Sequence, residues 1–108
     1  MKIKINVYER DLKTVKKEIE GNTIDIPFGI IRKFMNLFDI QNIEDSAQIL
    51  TIVFKSWKEV VYLLDMIFPD MTEDDWDGVN TKELIEVIKE ILKYSFAEML
   101  NIPVDEKN

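Results

Sequence analysis

A chain of 108 residues, 46% of them apolar, is expected to fold as one domain and bury roughly 65% of its unfolded surface. It has no cysteine and no histidine, which excludes disulfides and a thiol nucleophile and removes the commonest general base and transition-metal ligand. The net charge of −7 is unevenly spread: residues 1 to 17 carry Lys2, Lys4, Arg10, Lys13, Lys16 and Lys17 against Glu9 and Asp11, whereas residues 59 to 79 carry Glu59, Asp65, Asp70, Glu73, Asp74, Asp75 and Asp77 and no cation.

The first segment, KIKINVYE, alternates, with Ile3, Ile5 and Val7 on one face and Lys2, Lys4 and Asn6 on the other, the pattern of a strand with one buried face. After a polar break at Glu9 to Asp11, the β-branched positions Thr14, Val15 and Ile19 predict a second strand that closes a hairpin with the first. Gly21-Asn22 marks a turn, and the chain then runs extended into Pro27.

Pro27 suits a helix start, and Phe28, Ile31, Phe34, Met35 and Phe38 recur at helical spacing, which predicts a helix over 27–38. A connection over 39–45 leads to a long helix over 46–67 with Ala47, Leu50, Phe54, Trp57, Val61, Leu64 and Ile67 on one stripe. Within it, ILTIVF at 49–54 is β-branched and nearly all apolar, so a buried strand there is an open alternative. Pro69 stops that helix. Thr72 has the Thr-x-x-Asp spacing of an N-cap, and a short helix follows that ends at Gly78. Asn80 opens a last helix that runs to about Leu100 with Leu84, Ile88, Ile91, Leu92, Phe96 and Met99 on its apolar face. The expected architecture is a mainly α domain of three to four helices with a short N-terminal β-hairpin. Residues 1–20 form the hairpin, 27–100 the helical body and 101–108 a polar tail.

The acidic run EDDWDG at 73–78 invites three readings. As a calcium loop with Gly78 at its turn, it would place Glu73, Asp75 and Asp77 at the first, third and fifth ligand positions, but Leu84 stands where the bidentate glutamate is required. As a catalytic acid pair it lacks a cleft that could hold a sugar, and adjacent carboxylates on a helix point to different sides. As the first turn of a helix, each carboxylate gains about 0.3–1 kcal/mol from the macrodipole, and this reading is preferred. The three serines have no histidine to activate them, and no glycine-rich phosphate loop is present, so no enzyme activity, cofactor or metal is expected. The N-terminal lysines fall on the polar face of a strand, where they discourage edge pairing, and the pI of about 4.6 argues against nucleic acid as a partner. The start of the chain has no signal-peptide apolar region, and no apolar run nears the ~20 residues of a membrane span, so a soluble intracellular protein is expected.

The apolar helices carry the remaining signal. Their stripes are wider than a surface helix requires, and a wide stripe is either sandwiched in the core or reserved for a partner. Phe54, Trp57, Val61, Phe68, Met71, Trp76, Phe96 and Met99 are the candidate partner-binding residues, a hydrophobic groove rimmed by acids. For any single one of them, a place in the core is the simpler alternative.

The run from Trp57 to Pro103 resembles the tail assembly chaperones of long-tailed phages and prophages of low-GC Gram-positive bacteria. The resemblance rests on the tryptophan-led helix, on Ile-Phe-Pro-Asp-Met-Thr-x-x-Asp-Trp at 67–76, on Glu-Leu-x-x-Val-Ile at 83–88 and on Ser-Phe-x-Glu-Met-x-x-Ile-Pro at 95–103. Ile-Pro-Phe-Gly at 26–29 extends it toward the N-terminus. It implies a protein of the host bacterial cytoplasm that binds the largely helical tape measure protein, keeps it soluble until tail tube subunits polymerise around it, and is absent from the mature virion. It also implies a longer form made by −1 ribosomal frameshifting, whose added part recruits the tail tube protein. Glu106-Lys107-Asn108 can be encoded GAA-AAA-AAC, which contains the slippery heptamer A-AAA-AAC. The alternative function is a small phage- or prophage-encoded regulatory protein that binds one host protein by the same groove. Hydrophobic excess favours a homo-oligomer and the −7 charge opposes one.

Overall fold

A computed structural model of the protein describes residues 2–22, 27–38, 41 and 43–99, with Lys2, Asn22, Phe96, Glu98 and Met99 placed by their backbone alone. The extended stretch before Pro27 and the polar tail at 101–108 lie outside the described residues. The architecture is mainly α with an N-terminal hairpin, as the sequence predicts. The hairpin pairs β1 (Lys2–Tyr8) with β2 (Val15–Asn22) antiparallel, with Ile3 opposite Gly21, Ile5 opposite Ile19 and Val7 opposite Lys17. Ile3, Ile5, Val7 and Ile19 are buried, while Lys4, Glu18 and Glu20 face solvent, so the period-two pattern maps directly onto one packed and one wet face. The register shifts between Val7 and Tyr8, which leaves Lys16 without a counterpart on β1. In the turn, the Asp11 carboxylate accepts the Lys13 and Thr14 N–H groups at 2.8 Å each, and Leu12 takes a left-handed φ of 63°.

Five helices follow among the described residues: α1 (Phe28–Leu37), α2 (Ser46–Lys55), α3 (Trp57–Ile67), α4 (Glu73–Asp77) and α5 (Thr81–Met99). Pro27 caps α1 in an extended conformation, and Ile30, Ile31, Phe34 and Phe38 are buried behind it, while Phe28 is exposed. Residues 49–54 are helical, which settles the choice between helix and strand. The single long helix expected over 46–67 is instead two helices that meet at Ser56, whose ψ of 36° breaks the run. Ser56 closes α2 by donating its N–H to the Ile52 carbonyl at 2.8 Å, and its own carbonyl accepts from Val60 at 2.9 Å. An unbroken helix here would be ~33 Å long; the break lets α2 and α3 pack on each other as well as on α5 and α1 respectively.

The core joins the inner face of the hairpin to α1, α3 and α5, with Phe34, Val60, Leu64, Phe68, Ile88, Ile91 and Leu92 fully buried. Three ion pairs brace α5. Lys89, itself buried, lies 3.4 Å from Glu86 and 3.9 Å from Glu44, and Glu44 also pairs with Lys93. The Lys93 ammonium, followed by the Lys89 charge, holds the Glu44 carboxyl below the usual range. Among the described residues no helix is long and apolar enough to cross a membrane.

Candidate functional site

EDDWDG forms α4. The Thr72 hydroxyl accepts the Asp75 N–H at 3.2 Å and the Asp75 carboxylate accepts the Thr72 N–H at 3.0 Å, a reciprocal capping box. The same Asp75 oxygen receives the Lys17 ammonium at 2.8 Å from the inner side of β2. That hydrogen bond, reinforced by the Thr72 N–H, holds the buried carboxyl below its ordinary value. Glu73, Asp75 and Asp77 therefore radiate from a helical turn instead of converging on one point, and no cluster of three or more potential ligands able to hold a metal occurs among the described residues.

Gly78 ends α4 as predicted, its N–H donating to the carbonyls of Asp75 and Trp76, but its φ of −93° is one that any residue adopts. What requires glycine there is space. A Cβ would meet Val7 Cγ1 at 2.9 Å and the Tyr8 carbonyl at 3.0 Å, because the chain leaves α4 pressed against β1. Tyr8 donates its N–H to the Gly78 carbonyl at 2.8 Å, and Val7 and Val79 form an antiparallel bridge.

The eight candidate partner-binding residues divide into three groups. Phe68, Met71 and Trp76 are buried in the core, so they do not line an open groove; the turn through Pro69 folds α4 back and seals them. Trp76 meets the Phe68 ring edge-on at 6.3 Å and donates its indole N–H to Asp65 at 3.1 Å. Trp57 lies above it, also edge-on, with ring centroids 6.0 Å apart. Trp57 is 36% exposed, Val61 is half-buried against the core and Phe54 is 74% exposed at the end of α2. Phe96 and Met99 belong to α5, and their side chains lie outside the described residues.

The chain matches no family model, no curated protein and no solved structure. On α3 the buried stripe is Val60, Leu63, Leu64 and Ile67, which turns Tyr62 and Met66, each 53% exposed, toward solvent. Tyr62 borders an open groove of about 520 Å³ between α1 and α3, floored by Leu37 and Leu63 and rimmed by Lys33, Lys58 and Glu59. Lys33 holds its ammonium 5.3 Å from the centre of the Tyr62 ring, a cation–π contact that keeps the ring at the rim. Neither Tyr62 nor Lys33 is among the residues expected from the sequence to bind a partner. The available signal was the four-residue step from Tyr62 to Met66, opposite the stripe that proved to be buried.

Proposed function

We propose that the protein is a tail assembly chaperone that binds apolar helical segments of the tape measure protein and keeps them soluble in the host cytoplasm until the tail tube assembles. The observation that carries this reading is the concentration of exposed large apolar side chains in one stretch of the chain: Phe54, Trp57, Tyr62 and Met66, on two successive helices. Isolated exposed apolar residues are ordinary, but Tyr62 and Met66 lie one turn apart on α3, and Tyr62 borders an open apolar groove, a place suited to the apolar face of an amphipathic helix. The groove is not rimmed by acids as the sequence suggests: Lys33 and Lys58 flank Glu59 there and would attract acidic residues of such a partner, which acts on encounter rate more than on affinity. The resemblance over residues 57–103 supplies the partner's identity. The longer frameshifted form, with the tail tube protein as its partner, belongs to the same proposal.

Co-expression with the tape measure protein, followed by light scattering of the soluble complex, tests it. Many copies bound along one tape measure chain support a chaperone. A tape measure protein that precipitates regardless, or a one-to-one complex with a host protein, supports the regulatory alternative. Intact mass spectrometry of the products of the native gene with its downstream DNA separately tests the frameshift, since a second and longer species must appear.

A further inference from the structure

The outer edge of β1 is a second surface, built from elements other than α2 and α3. One edge of β1 is taken by β2; on the other, Tyr8 donates to the Gly78 carbonyl and Val7 bridges Val79. That third strand stops at once, because Asn80 caps α5 by accepting the Glu83 N–H at 3.1 Å. Backbone groups of alternate strand residues point to the same edge, so Lys4 and Asn6 face outward with Tyr8. Among the described residues, no backbone hydrogen bond beyond the hairpin reaches Lys4.

Beside this edge, unpaired among the described residues, lies an open trough of about 680 Å³ between β1 and the first half of α5, where the carboxylates Glu83, Glu86 and Glu90 outnumber Lys4 and Lys82. The steps of three and four residues place Glu83, Glu86, Val87 and Glu90 on one helical stripe that faces the edge. The stripe is about 10 Å long from Glu83 to Glu90, and alternate residues of an extended chain are spaced about 7 Å apart. Glu83 accepts the Tyr8 hydroxyl and Glu86 pairs with Lys89, while Glu90 has no such partner among the described residues. Lys4, at the margin of the trough, pairs with Glu18 across the hairpin at 3.8 Å.

We propose that the outer edge of β1 accepts an extended peptide segment of another protein as an additional strand, in line with the Val79 bridge, and that it selects segments with lysine or arginine at alternate positions. The main-chain ladder would supply affinity, and the carboxylate stripe on α5 would select cations on the side of the strand that faces it. This inference is independent of the helix-binding reading above, since it uses neither α2 nor α3.

The test is nuclear magnetic resonance titration of the full chain with a short blocked peptide alternating lysine and valine, and with a counterpart alternating glutamate and valine. The expected result is saturable binding of the lysine peptide alone, with the amides of Lys4 and Asn6 shifted and protected from exchange. Glu90→Lys, an exposed change that leaves folding intact, should weaken binding on the order of tenfold at low salt. Lys4→Pro removes the edge donor without touching the pairing to β2 and should abolish it. No binding of the lysine peptide, equal binding of both peptides, or shifts confined to α1 and α3 would overturn the proposal. So would a dimer formed through the β1 edge that leaves no room for peptide.

Discussion

Lys17 and Asp75 stand fifty-eight residues apart in sequence and meet at 2.8 Å, the Lys17 side chain 38% exposed and that of Asp75 5%. This pair docks α4 onto the hairpin and explains why one carboxylate of an acidic run is buried. Asp75→Asn should destabilise the fold by about 1.5–3 kcal/mol, the range for hydrogen bonds to a charged group, since both the Lys17 contact and half of the capping box weaken. Urea denaturation measures it. A loss below ~0.5 kcal/mol would mean that the pair is decorative.

The same residue sets an acid limit. The folded protein holds the Asp75 carboxyl below its ordinary value, because Lys17 and the Thr72 N–H favour the anion. At acidic pH the unfolded chain therefore binds more protons than the folded one. Stability is fully present above the ordinary carboxylate range and falls as pH drops through it toward the depressed folded value. Asp11, held low by the Thr14 hydroxyl and then the Thr14 and Lys13 N–H groups, and Glu44, held low chiefly by Lys93, act in the same direction. Melting temperature should be flat near neutrality and decline below about pH 5, with a smaller decline in Asp75→Asn.

Two glycines should respond to alanine in opposite ways. A Cβ at Gly21 would meet the Ile67 carbonyl and a Phe68 ring carbon at 2.7 Å each, and a backbone oxygen cannot step aside. Gly29 lies in the first turn of α1 with nothing within 4 Å of the corresponding position. Gly21→Ala should cost about 1–3 kcal/mol by overpacking, whereas Gly29→Ala should stabilise by roughly 0.4–1 kcal/mol through the unfolded chain. Paired thermal melts distinguish the two, and equal shifts would contradict the close approach of β2 to the end of α3.

What was legible in the sequence was local. The alternation of Ile3, Ile5 and Val7, the Thr72 cap, and the places where Pro69 and Gly78 stop their helices follow from neighbours within a few residues. The break at Ser56 was not legible, because neither proline nor glycine marks it and the apolar pattern runs straight through. A core position is the simpler expectation for each candidate alone, but which of them are buried was not legible, because the burial of Phe68, Met71 and Trp76 depends on α4 folding back over α3. The aromatic residues of 54–76 look alike in sequence, yet Phe54 faces solvent and Phe68 does not. Tertiary packing decides between a core and a docking surface, and one helical stripe serves either.

Leu12 supplies a sharper test of the hairpin. Its φ of 63° is disfavoured for a residue with a Cβ, and its side chain is 80% exposed, so no packing offsets the strain. Glycine or asparagine adopts this conformation at less cost, which for a left-handed residue is on the order of 1 kcal/mol. Leu12→Asn should stabilise the protein by about 0.5 kcal/mol and lower its retention on a hydrophobic column. A destabilised variant would place the turn in a different conformation.

The division of the candidate groove into core and surface can be tested by separating folding from binding. Phe68 is fully buried beneath Trp76, and Phe68→Ala should cost about 3–5 kcal/mol. Phe54 is 74% exposed, and Phe54→Ser should change stability by no more than about 0.5 kcal/mol. If α2 and α3 present the docking surface, Phe54→Ser combined with Tyr62→Ser should keep the wild-type melting temperature yet fail to hold the tape measure protein in solution during co-expression. Full solubilisation by this double variant would move the docking surface off these two helices. A large drop in its melting temperature would show instead that Phe54 and Tyr62 belong to the packed interior.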